Sequence, residues 1–320
     1  MMVAMELRQL RSFVVVAEEM NVGRAATRLH LTQPSLSRQI AALEHDLGVE
    51  LFARVRRRFV LTAAGETFLA EARDLLHRSD EAVRAAQRTQ RGELGTLRLR
   101  FVQSATFEAL PRILRAFRQA YPEVVLDLET LTTLRQTEAL RDGRIDVGLL
   151  RPNAPAVALG TTSAGQRVAS GAGSARGTTV VELAPGLASR VVAADPLVAV
   201  LPARHPLAKR KRLRLAELAD EPFVFYTRAS GPAVFDTIVG FCRAVGFTPR
   251  IEQEAADVQT IVSLVAAGLG VSLLISPTPP SNPDAVVYRD LSDDLPPWQL
   301  SAAWSPDNRS PVLARFLELL

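Results

Sequence analysis

Residues 21–65 constrain this chain more than any other stretch: NVGRAATRLHLTQPSLSRQIAALEHDLGVELFARVRRRFVLTAAG. The pattern predicts a short helix over 22–29, a turn at His30-Leu31, a second helix from Thr32 to Gly48, and then an arginine-rich hairpin. Ala25, Ala26 and Leu29 face inward on the first helix, and small alanines let a second helix approach closely. Thr32 suits an N-cap, and Pro34 sits in the first turn, where its missing N–H costs little. Leu36, Ile40, Leu43 and Leu47 recur at helical spacing and make one apolar face. Gly48 suits the stop.

Thr32, Gln33, Pro34, Ser35, Ser37 and Arg38 lie on the opposite face, near the helix N-terminus. Such residues meet base edges when a helix enters a major groove. Gln can pair with adenine, Arg with guanine and Ser with either, while Pro34 can lie on a thymine methyl. Taken alone, the same face reads more readily as a polar surface turned to solvent. The hairpin adds a second signal: Leu51, Phe52 and Leu61 look like core anchors, and Arg54, Arg56 and Arg57 cluster at its tip. Guanidinium groups there suit phosphate or a narrow minor groove.

The segment resembles the LysR-type transcriptional regulators. The resemblance rests on Met5-Glu6-Leu7-Arg8-Gln9-Leu10, Phe13, Ala25-Ala26, Leu29, Thr32-Gln33-Pro34-Ser35-Leu36-Ser37, Ile40, Leu43-Glu44, Leu47-Gly48, Leu51-Phe52, Arg54 and Leu61-Thr62-Ala63-Ala64-Gly65. It begins at Met5, which makes Met5 a candidate start beside Met1. Gly23 departs from it, standing where the family commonly has an aromatic or hydroxyl residue. The implied architecture is α/β, with a winged helix-turn-helix DNA-binding domain at 5–65, a linker and dimerisation helix at 62–91, and an effector-binding domain at 96–320. The last would be two-lobed and built like a type II periplasmic binding protein.

The rest of the sequence is consistent with that plan. Three hundred and twenty residues at 48% hydrophobic content can build a small domain and a larger one. From Thr62 to Gln90 no proline occurs. Leu69, Leu76 and Val83 recur every seven residues, flanked by Ala72, Leu75, Ala82 and Ala86, a seam suited to coiled-coil pairing and hence to a homo-oligomer, dimer or tetramer. Packing within the chain is the alternative. Paired heads would ask for a partly palindromic site on double-stranded promoter DNA. The glycines of Arg91-Gly92-Glu93-Leu94-Gly95 read as a hinge.

Beyond it, strands alternate with helices, as in a mostly parallel sheet. Strands are expected at 97–102, 124–131 and 145–150, with helices at 107–119 and 134–141. A second series runs from Ala194 to Ile275, and the chain then returns to the first lobe through strands near 286–291 and 299–304. Lobe I is placed at about 96–155 and 276–320 and lobe II at about 190–275. Arg141-Asp142-Gly143-Arg144-Ile145-Asp146 and Val265-Ala266-Ala267-Gly268-Leu269-Gly270-Val271 resemble the family here too. Residues 153–188, rich in Ala, Gly, Ser and Thr, are expected to form a poorly packed excursion.

Ligands of such sheets bind beyond the carboxyl ends of strands. Ser104, Thr132, Thr133 and Arg151 follow strands in lobe I, and Gly231-Pro232-Ala233-Val234 opens a helix in lobe II. Hydroxyls and helix N–H groups suit a carboxylate, and Arg151 could pair an anion bidentately. Ser104 and Thr132 would equally serve as plain caps. The resemblance implies more: Ser104, Thr133 and Arg151 match ligand-contacting positions in members that sense aromatic-catabolism acids. The Gly231–Val234 turn, Phe241-Cys242-Arg243 and Gln259-Thr260-Ile261-Val262 resemble the same subgroup.

Enzyme readings find little. His30, His45, His77 and His205 lack metal-ligand spacing, and Cys242 lies in an apolar helix. Gly268-Leu269-Gly270 follows a helix and precedes a strand, the reverse of a dinucleotide fingerprint. No catalysis, cofactor or metal is expected. One cysteine allows no intrachain disulfide. The N-terminus does not read as a signal peptide, and the apolar run 261–275 is too short to span a bilayer, so a cytoplasmic protein with no membrane partner is expected. A net charge of +4 decides nothing about partners by itself. The expected partners are promoter DNA, a small-molecule effector and further copies of the chain, with RNA polymerase left open. Two other functions stay open: a constitutive DNA binder without effector, and a ligand sensor acting mainly through protein contacts.

Overall fold

Leu10, Phe13, Val16 and Ala17 give the first helix, α1 (Leu7–Glu19), one buried face, and the amino-terminal unit assembles on it. The computed structural model describes residues 5–55, 58–152, 180–229, 231–275 and 284–320. The chain divides into two units, one ending at Arg88 and the other beginning at Thr89.

In the first unit α1 is followed by α2 (Val22–Arg28), α3 (Gln33–Leu47), the strands β1 (Phe52–Val55) and β2 (Arg58–Leu61), and α4 (Ala63–Gln90). Ala25, Ala26, Leu36, Ile40 and Leu43 complete one core with α1. Phe13 lies 5.4 Å from Phe52 and 5.1 Å from Phe68, and Phe52 stacks on Phe59 at 4.6 Å, so one aromatic group joins α1, the hairpin and α4. The expected seam of α4 divides. Ala72 is fully buried, and Leu69 and Leu76 pack beside it on the head's own core. Leu75 and Val83 are the exposed large apolar residues of this helix. Helical spacing alone could not say which neighbour each residue would meet.

The second unit opens with β3 (Gly95–Phe101), α5 (Ala109–Ala120), β4 (Val124–Thr130), α6 (Thr133–Arg141) and β5 (Val147–Leu150). Next come β6 (Val180–Ala184), β7 (Leu187–Asp195), β8 (Leu197–Pro202), β9 (Arg212–Leu213), β10 (Pro222–Tyr226) and α7 (Pro232–Ala244). The chain goes on through β11 (Arg250–Ala255), α8 (Val258–Ala266), β12 (Ser272–Ile275), β13 (Val286–Leu291), β14 (Trp298–Trp304) and α9 (Pro311–Glu318). One lobe is a six-stranded sheet in the order β4-β3-β5-β14-β7-β6. The other holds β12-β8-β13-β9 and the parallel pair β10-β11.

Three expectations need correction. The first sheet is mixed: β4, β3 and β5 run parallel, but β14, β7 and β6 are each antiparallel to a neighbour. The lobe limits move: Leu187–Asp195 belongs to lobe I, and Val286–Leu291 stays in lobe II, paired with β8. The excursion ends early, since 180–195 form an antiparallel hairpin with Leu187 buried. Low-complexity composition concealed this, because the alternation of β7 is carried by alanine, serine and valine. Residues 153–179 of that stretch lie outside the described residues.

The glycine-rich junction is held in place. Gly92 is buried at φ +73°, and a Cβ there would stand 2.4 Å from the Pro311 carbonyl oxygen. Arg315 Nε donates to the Arg91 carbonyl at 2.9 Å, so α9 grips the start of this unit. Its first glycine is required for close approach, which glycine's missing side chain permits.

Asp146, 4% exposed, ties the strands behind the sheet. It accepts from the Arg98 backbone and guanidinium and from Asn308. Burial alone would push its carboxyl up, but the hydrogen bonds from Arg98 and Asn308 prevail and hold it below the usual value of 3.8. A depressed folded value gives stability that is present above the unfolded pKa and lost as pH falls through the folded one. Urea unfolding of the second unit's signal should therefore weaken as pH drops from about 5 to 3, and Asp146→Asn should flatten that dependence. At neutral pH the same variant should cost about 1–2 kcal/mol, because the Arg98 backbone N–H and guanidinium lose a charged acceptor while the guanidinium stays partly solvated.

Candidate functional site

Two surfaces gather the chemistry. On the first unit, the turn between α2 and α3 is made by His30 at φ +56°, with Leu31 N–H donating to the Ala26 carbonyl at 2.9 Å. A non-glycine residue in the left-handed region is uncommon, though His is tolerated there. The turn delivers Thr32, Gln33, Pro34, Ser37 and Arg38 exposed at the start of α3, with Ser35 half-buried among them. Thr32 occupies the N-cap position, but its side chain makes no capping bond. The expectation of a side-chain cap is thus not met. Behind the helix, Ser12 Oγ donates to Gln39 Oε1 at 2.6 Å and fixes α3 on α1.

The hairpin is positioned by residues to which the sequence pattern gave no role. Glu44, near the end of α3, accepts from the backbone N–H of Leu51 at 2.8 Å and of Phe52 at 3.1 Å. Thr62 Oγ1 donates to the Glu50 carbonyl at 2.7 Å and accepts from Gly65 N–H at 2.9 Å. At Gly65 a Cβ would lie 2.1 Å from the Leu51 carbonyl oxygen, so only glycine fits. Arg54 is exposed on β1, while Arg56 and Arg57 lie outside the described residues. Glu44 and Thr62 were visible only as members of the resemblance; their geometry depends on a contact across the hairpin that no local spacing reveals.

The second surface lies where the strand ends of the two lobes meet. Ser104 follows β3 in a short 3-10 turn, Thr132 and Thr133 follow β4, and Arg151 follows β5. Thr132 caps α6, accepting from Arg135 N–H at 3.5 Å. Thr133 Oγ1 donates to the Arg151 carbonyl at 3.1 Å and accepts from its N–H at 3.3 Å. Arg151 is 5% exposed. Its Nε donates to Ser104 Oγ at 2.9 Å, its Nη1 to the Trp298 carbonyl at 2.9 Å, and its Nη2 pairs with Asp195. The structure thus brings Ser104, Thr133 and Arg151 together. It also corrects the expectation that Arg151 stands free for an anion, because the guanidinium is already engaged on all three nitrogens.

From lobe II, α8 begins after Asp257, and Val258 N–H donates to Gln103 Oε1 of lobe I at 3.4 Å. Phe107 packs with Tyr226, Tyr288 and the buried face of α8. Burial drives the Tyr226 phenol well above its ordinary value, against the pull of the Arg151 charge. Burial also raises Tyr288, to about 12, and its buried hydroxyl has no hydrogen-bond partner among the described residues. Val234 packs into the lobe II core, so of the Gly231–Val234 turn only backbone N–H groups remain as polar contacts. The two tyrosines carried no motif; only the fold places Tyr226 within the field of the Arg151 charge and Tyr288 near Tyr226.

Residues 7–66 match the family pattern described as bacterial regulatory helix-turn-helix protein, lysR family, and residues 90–165 and 174–320 match the LysR substrate binding domain. The chain belongs to the LysR-type transcriptional regulators. This LysR-type regulator is 36% identical to the HTH-type transcriptional regulator AlsR of Bacillus subtilis (strain 168), over 98% of this chain and 95% of that one. It aligns with the crystal structure of CbnR, a LysR family transcriptional regulator, at a TM-score of 0.79 and 28% identity, covering 98% of this chain and 99% of CbnR. Full-length CbnR complexed with its target DNA aligns at a TM-score of 0.76 and 27% identity, with 98% of both chains covered. Binding DNA to regulate transcription is therefore the activity of the LysR-type regulator described here. Among its described residues, no helix is long and apolar enough to cross a membrane.

Glu44→Ala would leave two amide donors of the hairpin's first strand without their acceptor. The head should lose about 2–3 kcal/mol in thermal or urea unfolding. DNA affinity should fall with it, although Glu44 faces away from the exposed start of α3.

Proposed function

We propose that this LysR-family DNA-binding regulator responds to a small carboxylate held between the lobes of its second unit, with an aromatic-catabolism acid as the class to test first. The observation that carries the reading is the state of the Ser104 hydroxyl. A serine oxygen has one proton to donate and two lone pairs. Arg151 Nε–H fills one lone pair and lends the oxygen positive surroundings, which leaves the proton to be given outward. The amino end of α6 holds the Arg151 backbone through Thr133, and helix N–H groups favour anions. The phenols of Tyr226 and Tyr288 are kept protonated by burial and can donate from the other wall. Arg151 acts in this reading by orienting Ser104 rather than by pairing the ligand. Thr132 and Thr133 hold the local backbone, and the free N–H groups before Val234 remain the lobe II contribution.

On the DNA side, we assign base reading to Gln33, Ser35, Ser37 and Arg38, with Thr32 and Pro34 at the groove edge. Phosphate contact falls to Arg54. The corresponding expectation for Arg56 and Arg57 lies outside the described residues. Pairing of two chains through α4 is assigned to the exposed Leu75 and Val83, with Leu69 and Leu76 serving the head's own core. A dimer or tetramer of this kind offers two heads to one operator.

Two experiments test these roles. In thermal shift on the full chain, benzoate and cis,cis-muconate should raise the melting temperature of the wild type, while benzamide should not. Ser104→Ala should abolish the shift and leave operator affinity within about twofold, since surface changes away from an interface move stability little. A shift of equal size in that variant ends the Ser104 assignment. In filter binding, Arg54→Ala should weaken all sequences alike and reduce the salt slope by about one. Gln33→Ala should instead lose preference among operator variants by roughly 1–3 kcal/mol.

A further inference from the structure

Only two connections pass between the lobes among the described residues: β7 runs through Pro196 into β8, and 292–297 lead from β13 into β14. They leave lobe I side by side, since Asp195 and Trp298 are partners at the end of the antiparallel β7–β14 ladder. One side chain takes hold of both. Arg151 Nη2 pairs with the Asp195 carboxylate and Nη1 donates to the Trp298 carbonyl, while Nε reaches Ser104 Oγ at 2.9 Å. The guanidinium side chain is 4% exposed and that of Asp195 15%, so water competes little for these bonds. A guanidinium is planar and presents its donors in a fixed fork. Rotating it to follow a displaced Ser104 would therefore disturb its bonds to both connections.

We propose that Arg151 is the positioning residue of the inter-lobe hinge: it pins both connections to lobe I and couples their freedom to the Ser104 hydroxyl. The coupling to a ligand rests on the carboxylate reading above; the pinning itself does not. A carboxylate that accepts a hydrogen bond from the Ser104 hydroxyl draws the serine oxygen toward itself. The change passes through Nε to Asp195 and Trp298, the two points about which the lobes turn. A ligand shifts such an equilibrium only by its different affinity for the two arrangements, and this relay is where that difference would arise.

Hydrogen exchange on the full-length protein tests it, first without ligand. In Arg151→Lys, peptides spanning 190–201 and 291–302 should both exchange roughly tenfold faster, the loss of charge-assisted bonds to both connections. Peptides over β3 and β10 should stay within about twofold. Asp195→Asn, the second variant, should loosen the same two peptides. The double variant should add little to Arg151→Lys, since both changes break one device. Unchanged exchange at the connections overturns the proposal, and so does uniform acceleration across lobe I, which would make Arg151 a packing residue only. Full additivity in the double variant also overturns it. Then benzoate is added at saturation. In the wild type it should change exchange in both connection peptides; in Arg151→Lys, which loses the orienting bond to Ser104, the melting shift should need more benzoate, and at the concentration that restores it those peptides should stay unaltered. Persistence of the ligand-induced change in that variant sinks the coupling. Absence of any melting shift in the wild type refutes the carboxylate reading, while the ligand-free comparison still decides the pin.

Discussion

A cationic side chain withdrawn from water must be met on every side, and Arg151 is met by groups from four places in the sequence. Its backbone is held by Thr133, its fork by Ser104, Asp195 and the Trp298 carbonyl. Isolated burial of such a charge would cost several kcal/mol, and a well-arranged set of partners offsets that cost. The consequence is geometric. The segments that follow β3, β4 and β5, the end of β7 and the start of β14 are thus all tied to this one residue, Ser104, Asp195 and Trp298 by its fork and Thr133 by its backbone. The second lobe is joined to the first by the two connections that the same group grips.

The head obeys the same rule at smaller scale. The start of α3 must be exposed and unencumbered, so its position is set from behind, by Ser12 on Gln39 and by the aromatic group of Phe13, Phe52, Phe59 and Phe68. The wing cannot rely on burial, being a two-stranded ribbon of four residues a side. Isolated hairpins of this size are marginal in water. Glu44 and Thr62 supply what the ribbon lacks, and Gly65 allows α4 to begin directly beneath the Leu51 carbonyl.

Much of this was legible beforehand, for physical reasons that can be named. Leu36, Ile40 and Leu43 announce α3 because helical period and burial coincide there, and Pro34 and Gly48 mark its ends. Ser104, Thr133 and Arg151 could be grouped because each follows a parallel strand. Three things were hidden. The role of Asp195 depends on a partner 44 positions away. The division of α4 depends on which face meets the head, which a seven-residue repeat does not encode. The lobe to which Val286–Leu291 belongs depends on pairing with β8, and a strand's sequence carries no record of its neighbour.

Arg91 meets Arg315 across a separation of 224 positions, and Gly92 lies against Pro311 beside them. During synthesis, which proceeds at about 5–20 residues per second, amino-terminal domains generally fold first as units. All residues of the head precede this junction, so the head can reach its native packing while most of the second unit is still unmade. Its attachment point acquires its final geometry only when α9 has emerged. A ribosome-bound chain would thus carry a finished amino-terminal unit while the start of the second unit still waits for the last helix to hold it.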